Sequence, residues 1–126
     1  MKKIDYQVAF RDHRGEISDL IENETINAIT RITIKKGAVR GNHYHKATWQ
    51  WNYVVAGKMK LVTRMPNEER HEVLLSAGDL AVTEPYEHHA LVGVEDCDVL
   101  VFTKGPRGGK EYETDTFRLE KPLTSN

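Results

Sequence analysis

Residues 37–57 read GAVRGNHYHKATWQWNYVVAG and place two histidines, His43 and His45, between two glycines. In a β-strand, the side chains of residues i and i+2 point to the same face of the sheet. Both imidazoles are therefore expected to reach the same spot. A third histidine, His89, follows further along the chain. Three imidazoles in one place indicate a metal site or an acid–base site, because imidazole binds divalent metals and titrates near neutral pH.

The remainder of the chain also reads as short β-strands. The segments ITRITIK at 29–35 and KMKLVTR at 58–64 alternate apolar and polar residues with the period of two that is typical of a half-buried strand. Gly57 stands between two strand segments, and this junction predicts a tight hairpin. No run of ten or more residues shows the 3.6-residue period of a helix. Many short strands separated by turns predict an all-β sandwich or barrel.

The composition of the chain is ordinary, with 126 residues and a formal net charge of -1. A near-neutral balance gives no general affinity for nucleic acid or for an anionic membrane. No segment approaches the ~20 apolar residues of a membrane span, and the N-terminus lacks the apolar core of a signal peptide. Cys97 is the only cysteine, so no internal disulfide forms. We expect a cytoplasmic protein with one domain at residues 1–119 and a disordered tail at residues 120–126.

The spacing of this first stretch resembles the first motif of the cupin family, and the matching residues are Gly37, His43, His45, Gln50 and Gly57. Gln50 stands where the family has glutamate. The second cupin motif is matched more loosely, with His89 at the expected histidine and Tyr86 in place of a glycine. The resemblance implies a single-domain antiparallel jelly-roll β-barrel. It also implies that His43, His45, Gln50 and His89 meet in the lumen, where they would hold one divalent metal ion such as zinc, iron, manganese or nickel.

A narrower resemblance concerns the segment RGNHYHK at 40–46, followed by Gln50. It is similar to the RGxHxHK…Q signature of the sugar-nucleotide 3,4-ketoisomerases, which are cupins acting on thymidine-diphosphate 4-keto-6-deoxyhexoses. The segment DHRG at 12–15 resembles the DxRG segment of those enzymes and of related 3,5-epimerases. This resemblance implies that His43 and His45 transfer protons without a metal. It also implies that Arg14 and Arg40 contact the diphosphate or the sugar, whereas the C-terminal GPRGGKEYETDTFRL is unlike the ketoisomerase tail.

Three functions therefore stay open at the level of the sequence. The first is a sugar-nucleotide isomerase or epimerase, in which one imidazole removes a proton beside a ketone while the other returns a proton to the enediol. The second is a metal-dependent cupin, an oxygenase or another metalloenzyme. The third is a non-catalytic cupin that binds a small sugar or acid, or that serves as an accessory module in polysaccharide synthesis.

Two further features concern assembly and phosphate binding. Trp49, Trp51 and Tyr53 share one strand face, which is typical of a core or of a dimer interface. We expect a homodimer in which residues 1–10 add a strand to the partner's sheet. The loop Gly105–Lys110 would present backbone N–H groups to a phosphate, although a surface loop without such a role is more common.

Overall fold

The computed structural model describes residues 1–106 and 114–124 and contains twelve β-strands in these ranges. Their bounds are β1 Lys2–Ile4, β2 Val8–Asp12, β3 Gly15–Ser18, β4 Ala28–Ile34, β5 Val39–Tyr44, β6 Trp49–Ala56, β7 Lys58–Arg64, β8 His71–Ser76, β9 Leu80–Thr83, β10 His88–Gly93, β11 Cys97–Lys104 and β12 Phe117–Arg118. All hydrogen-bonded strand pairs in these two ranges are antiparallel. Among the described residues, no helix has the length and apolar character needed to cross a membrane.

Two five-stranded sheets enclose the core, with strand orders β1-β9-β6-β11-β4 and β12-β5-β10-β7-β8, while β2 and β3 form a separate hairpin. Most neighbours within a sheet are distant in sequence, because the chain crosses from one sheet to the other between successive strands. This connectivity is that of a double-sheet jelly roll. The prediction of an all-β, antiparallel jelly-roll barrel is therefore confirmed.

The turn at Gly57 is a barrel corner, and the prediction of a hairpin there is wrong. β6 pairs with β9 and β11, whereas β7 pairs with β8 and β10, so the chain changes sheets at this residue. Gly57 has a φ of 82°, and a Cβ on it would lie 2.1 Å from the backbone oxygen of Asp96. Only glycine fits a bend this close to another backbone segment. Local alternation cannot distinguish such a corner from a hairpin, since both join two alternating strands.

The barrel interior changes from polar to apolar along the strands. The inward side chains of β6 run from Gln50 through Asn52 to Val54, and those of β10 run from His89 to Leu91. The apolar end contains the core cluster of Ile34, Val54, Met59, Leu61, Leu75, Ala81, Leu91, Cys97, Val99 and Val101. The polar end contains the buried Gln50, Asn52, Thr63, Thr83, His89 and Thr103. Because apolar burial drives folding, the apolar end stabilises the barrel and leaves the polar end available for a site.

The N-terminal residues add a strand to their own chain. Lys2–Ile4 pairs with β9 at the edge of the first sheet. We expect residues 1–10 to add a strand to the sheet of a partner subunit, but here this strand extends the sheet of its own chain.

The hairpin β2–β3 leaves Phe10 and Ile17 exposed, at 53% and 61% of their surfaces. Trp51 is buried on the aromatic face of β6. The homodimer stays a prediction.

Residues 119–124, here called the C-terminal strap, are hydrogen-bonded to β5 at Asn42. The backbone N–H of Leu119 donates to the Asn42 carbonyl oxygen, and that of Leu123 donates to Asn42 Oδ1 at 2.9 Å. Asn42 Nδ2 donates to the Thr124 carbonyl oxygen at 3.0 Å. Arg70 Nε also donates to the Leu123 carbonyl oxygen. The sequence predicts a disordered tail at residues 120–126, but these contacts attach residues 123 and 124 to the barrel. The domain boundary at residue 119 stays a prediction.

Candidate functional site

Three histidines meet at the polar end of the barrel. His43 on β5 is the direct cross-strand partner of His89 on β10, and His45 follows two residues after His43. The ring centroids are 4.7 Å apart for His43 and His89, 4.9 Å for His43 and His45, and 5.1 Å for His45 and His89. One ring nitrogen from each histidine lies within 4.8 Å of the other two. The structure therefore brings together the same-face pair and the third histidine that the sequence indicated.

Backbone carbonyl groups orient two of the three rings. His45 Nδ1 lies 2.8 Å from the Asp115 carbonyl oxygen, and His89 Nδ1 lies 3.0 Å from the Glu87 carbonyl oxygen. Since a carbonyl oxygen only accepts, each Nδ1 carries the proton and donates it. In the neutral rings, Nε2 then carries the lone pair. His89 Nε2 is buried and has no hydrogen-bond partner among the described residues.

The charge state of His89 follows from its surroundings. His89 is 3% exposed, and burial, with smaller contributions from neighbouring His43 and His45, holds its pKa well below the usual range. A histidine with a lowered pKa loses its proton at lower pH, so His89 is neutral at physiological pH. Its Nε2 is therefore ready to accept a hydrogen bond, a proton or a metal ion.

Asp115 supports the site from the C-terminal side, and the sequence analysis missed it. Its buried carboxylate accepts hydrogen bonds from the backbone N–H groups of Lys46 and Ala47, at 2.9 and 3.1 Å, and from Thr48 Oγ1 at 2.6 Å. Although burial raises the pKa of Asp115, the hydrogen bonds outweigh this effect and the pKa lies below its usual range. The ionised carboxylate thus fixes the turn that follows His45. Because 70 residues separate Asp115 from His45, no local spacing pointed to this residue.

A cavity of about 580 Å³ opens beside the histidines, and His43, Gln50 and His89 line it. Gln50 is buried and lines the same cavity as His43 and His89, whereas His45 is buried behind them and does not belong to the lining. Arg40 lines the cavity as well, and its contact with the diphosphate or the sugar stays a prediction. Arg14 does not line this cavity, because it lies on the β2–β3 hairpin, where its guanidinium pairs with Asp12 at 2.7 Å.

Two arginines that the sequence analysis did not single out also line the cavity. They are Arg31 on β4 and Arg118 on β12. Neither lies near a recognisable motif, and only the strand order places them there. Of the predicted phosphate loop Gly105–Lys110, residues 107–110 lie outside the described residues, so its role stays a prediction.

The outer face of the same strands is aromatic. Tyr44 stacks on Phe117 with ring centroids 5.3 Å apart, and on His88 at 4.9 Å. Lys46 Nζ lies 4.3 Å from the centre of the Phe117 ring. Tyr44 and His88 thus face away from the three histidines, as strand alternation predicts.

Comparison with known proteins identifies several related folds. The sequence profile of the family described as polysaccharide biosynthesis C-terminal domain matches residues 10–117. A search of curated proteins gave no match. The 3,4-ketoisomerase QdtA from Thermoanaerobacterium thermosaccharolyticum, in complex with TDP, has a TM-score of 0.72 at 21% identity, covering 94% of this chain and 86% of its own. The dTDP-4-dehydrorhamnose 3,5-epimerase from Sulfolobus tokodaii has a TM-score of 0.71 at 16% identity, covering 92% and 81%.

A third similar structure belongs to a longer protein. The capsular polysaccharide assembling protein CapF from Staphylococcus aureus has a TM-score of 0.67 at 21% identity. The match covers 92% of this chain but only 34% of CapF. At these identities the solved structures show a shared fold, and they agree with the jelly-roll barrel described above.

Proposed function

The chain belongs to the polysaccharide biosynthesis C-terminal domain family, and from this premise we propose that it catalyses keto isomerisation or epimerisation of a nucleotide-linked sugar. The observation that supports the proposal is the clustering of His43, His45 and His89 within 4.8 Å of one another, with His43 and His89 lining the cavity and His45 buried directly beside them. The 3,4-ketoisomerase QdtA and the 3,5-epimerase with the same fold support this class of reaction.

The proposed chemistry is a proton transfer through an enediol. A neutral imidazole removes the proton from the carbon beside the sugar ketone, and the electron pair of the broken C–H bond forms the C=C bond of the enediolate. A second imidazole returns a proton. Delivery to the former carbonyl carbon moves the ketone, because the neighbouring hydroxyl then gives its proton to the former carbonyl oxygen and becomes the new carbonyl group. Delivery to the opposite face of the original carbon inverts that centre. We assign these two steps to His43 and His45.

His89 has a different part in this proposal. Because it is neutral and its Nε2 carries the lone pair, it accepts a hydrogen bond from a hydroxyl of the sugar. Such a contact fixes the sugar ring relative to His43 and His45. Burial strengthens it, since a hydrogen bond gains from a low local dielectric.

Deuterium exchange tests the proposed function directly. The protein is incubated in D₂O with TDP-4-keto-6-deoxyglucose, and the sugar protons beside the ketone are followed by NMR. We expect deuterium to replace at least one of these protons at a rate proportional to enzyme concentration. A His88→Gln variant is the control, because its ring lies on the outer face, and it should exchange as fast as the unmodified protein. Absence of enzyme-dependent exchange with TDP- and UDP-linked 4-keto sugars would refute the proposal.

A second candidate is a metal-assisted form of the same site, and the orientation of the rings favours it. Histidines that bind metal usually donate the second ring N–H to a backbone carbonyl or a carboxylate, as His45 and His89 do here. One ring nitrogen from each of the three histidines lies within 4.8 Å of the other two, and imidazole nitrogen is a common zinc ligand. His43, His45 and His89 would hold the metal, with Gln50 offering an amide oxygen.

The residues present therefore fit a divalent cation such as zinc. A bound cation supplies Lewis-acid stabilisation of an enediolate oxygen. In that case the carbonyl contacts of His45 and His89 orient the ligand nitrogens, and the neutral state of His89 leaves its lone pair available for the metal.

Zinc affinity distinguishes the metal-assisted site from a metal-free one. We expect the protein to bind one zinc ion per chain, measured by competition with a chromogenic chelator. His89→Gln should weaken binding at least about tenfold because it removes one of three imidazole ligands. Gln50→Glu should tighten binding, since a carboxylate adds negative charge. His88→Gln, one residue from His89, should leave the affinity unchanged. Equal zinc affinity in all four proteins, or none, would exclude this candidate.

A further inference from the structure

Glu87 is a buried acidic residue to which the proposed reaction gives no part. It lies in the turn between β9 and β10, two residues before His89, and only 1% of its surface is exposed. A buried carboxylate needs hydrogen bonds or an opposite charge to replace the water that it loses. Glu87 Oε1 accepts a hydrogen bond from the Glu84 backbone N–H at 3.1 Å, and Oε2 contacts the ammonium group of Met1. Both carboxylate oxygens are therefore held in place.

The backbone of the same residue belongs to the histidine cluster. The Glu87 carbonyl oxygen lies 3.0 Å from His89 Nδ1 and accepts the proton of that nitrogen. Tyr86, the residue before it, donates its backbone N–H to the His45 carbonyl oxygen at 2.6 Å. One turn, residues 84–87, thus contacts the ring of one histidine and the backbone of another.

The Glu87 side chain closes this turn. Its Oε1 accepts from the Glu84 N–H, while the Glu87 N–H donates to the Glu84 carbonyl oxygen at 3.2 Å, so two hydrogen bonds join these residues. Tyr86 between them has a φ of 69°, a left-handed conformation that costs free energy in a residue with a side chain. Such a backbone persists only where the surrounding contacts hold it. Loss of the Glu87 carboxylate removes one of the two hydrogen bonds, and we expect the turn to relax.

We propose that Glu87 is a positioning residue for His89. Its side chain closes the turn, and the closed turn places the Glu87 carbonyl oxygen where it fixes the His89 ring with the proton on Nδ1. The hydrogen bond made by one ring nitrogen decides which nitrogen of a neutral imidazole carries the proton. Nε2 is then left with the lone pair that accepts a hydrogen bond from a sugar hydroxyl. This consequence for the reaction rests on the proposed function, whereas the arrangement of the ring does not.

Long-range ¹H–¹⁵N NMR spectra of the imidazole rings test the positioning without substrate. A chelator keeps metal ions off the ring nitrogens, and the signals of His89 are those that His89→Gln lacks. We expect the His89 proton to lie mainly on Nδ1 in the unmodified protein. In Glu87→Ala the ratio of the Nε2–H to the Nδ1–H tautomer should rise about threefold to tenfold, the usual effect of weakening one hydrogen bond. Glu87→Gln should give a smaller rise, because an amide keeps only one of the two acceptor oxygens.

Two control variants separate positioning from a general loss of stability. Glu84→Gln makes the same chemical change as Glu87→Gln at an exposed side chain of the same turn, and it keeps the backbone N–H that donates to Glu87. Leu75→Ala destabilises the barrel by removing a fully buried side chain of the core cluster on β8. Both controls should leave the His89 tautomer ratio unchanged. A rise in Leu75→Ala equal to that in Glu87→Ala would overturn the positioning role, because lost stability alone would then account for it.

The outcomes distinguish this inference from the proposed function. A His89 proton mainly on Nε2 in the unmodified protein, or the same tautomer ratio in Glu87→Gln as in Glu84→Gln, would overturn the inference even if Glu87→Ala does not fold. Deuterium exchange on TDP-4-keto-6-deoxyglucose should slow about threefold to tenfold in Glu87→Ala. A changed tautomer ratio in a protein that catalyses no exchange would support the positioning of His89 and refute the proposed reaction.

Discussion

Replacing either His43 or His45 with alanine is expected to lower the rate of keto-sugar deuterium exchange by about two to four orders of magnitude. This is the usual contribution of one positioned acid–base group. The ring centroids of the two imidazoles lie 4.9 Å apart, and each ring has its own proton-transfer step in the proposal, so the remaining imidazole does not replace the one removed. Initial exchange rates measured by NMR at saturating substrate give the comparison.

The variants should remain folded, because neither histidine belongs to the hydrophobic core cluster. Circular dichroism and the urea unfolding midpoint check this point. His71→Ala is the control, since His71 is exposed on β8, at a sheet edge. Exchange rates for His43→Ala and His45→Ala that match the control would remove both residues from the mechanism, whether or not a metal takes part.

Replacing Gly57 with alanine is expected to destabilise the barrel by at least about 3 kcal/mol. The left-handed backbone costs an L-residue about 1–2 kcal/mol, and the new Cβ would lie 2.1 Å from Asp96 O and 2.9 Å from Cys97 Cα. These are backbone atoms, so the corner has to open and pull β6 and β7 away from their sheets. Urea unfolding, monitored by intrinsic fluorescence, measures the decrease in the free energy of unfolding.

Gly37→Ala provides a matched control for the cost of the left-handed backbone conformation alone. Gly37 has a φ of 84°, close to that of Gly57, yet nothing lies within 4 Å of its added Cβ. The free energy of unfolding of this variant should fall by only about 1–2 kcal/mol, which is the cost of placing an L-residue in the left-handed conformation. If the two alanine variants unfold at the same urea concentration, the close contact at the corner makes no contribution to stability.

Local patterns in the sequence were enough to predict the strands and the histidine cluster. Period-two alternation places His43 and His45 on one face wherever the strand lies, and the spacing to His89 follows from a motif. Pairing between distant segments carries no such local signal. Asp115 reaches Lys46 and Thr48 through hydrogen bonds, and Arg118 reaches the cavity through a two-residue strand. The sheet order alone decides these positions, so spacing did not reveal them.

Arg14 shows the limit of a motif resemblance. The resemblance placed Arg14 at the ligand, but within the described residues its guanidinium pairs with Asp12, and Arg14 is absent from the cavity lining of its own chain. Its contact with a ligand in the pocket of a partner subunit stays a prediction. The hairpin that carries it forms a separate two-stranded sheet. The motif thus identified a residue type but did not predict where the residue lies, because the motif carries no information about the orientation of the peripheral hairpin.

The division of the barrel into a polar end and an apolar end has an evolutionary consequence. Along β6 and β10, one end of each strand maintains the fold while the other end presents the reactive groups. A lineage can therefore exchange Gln50, His89 or Arg118 one at a time, and each intermediate retains the core that keeps it folded. New substrates and new reactions become accessible by single substitutions, since the descendants inherit an architecture that does not depend on the ancestral chemistry.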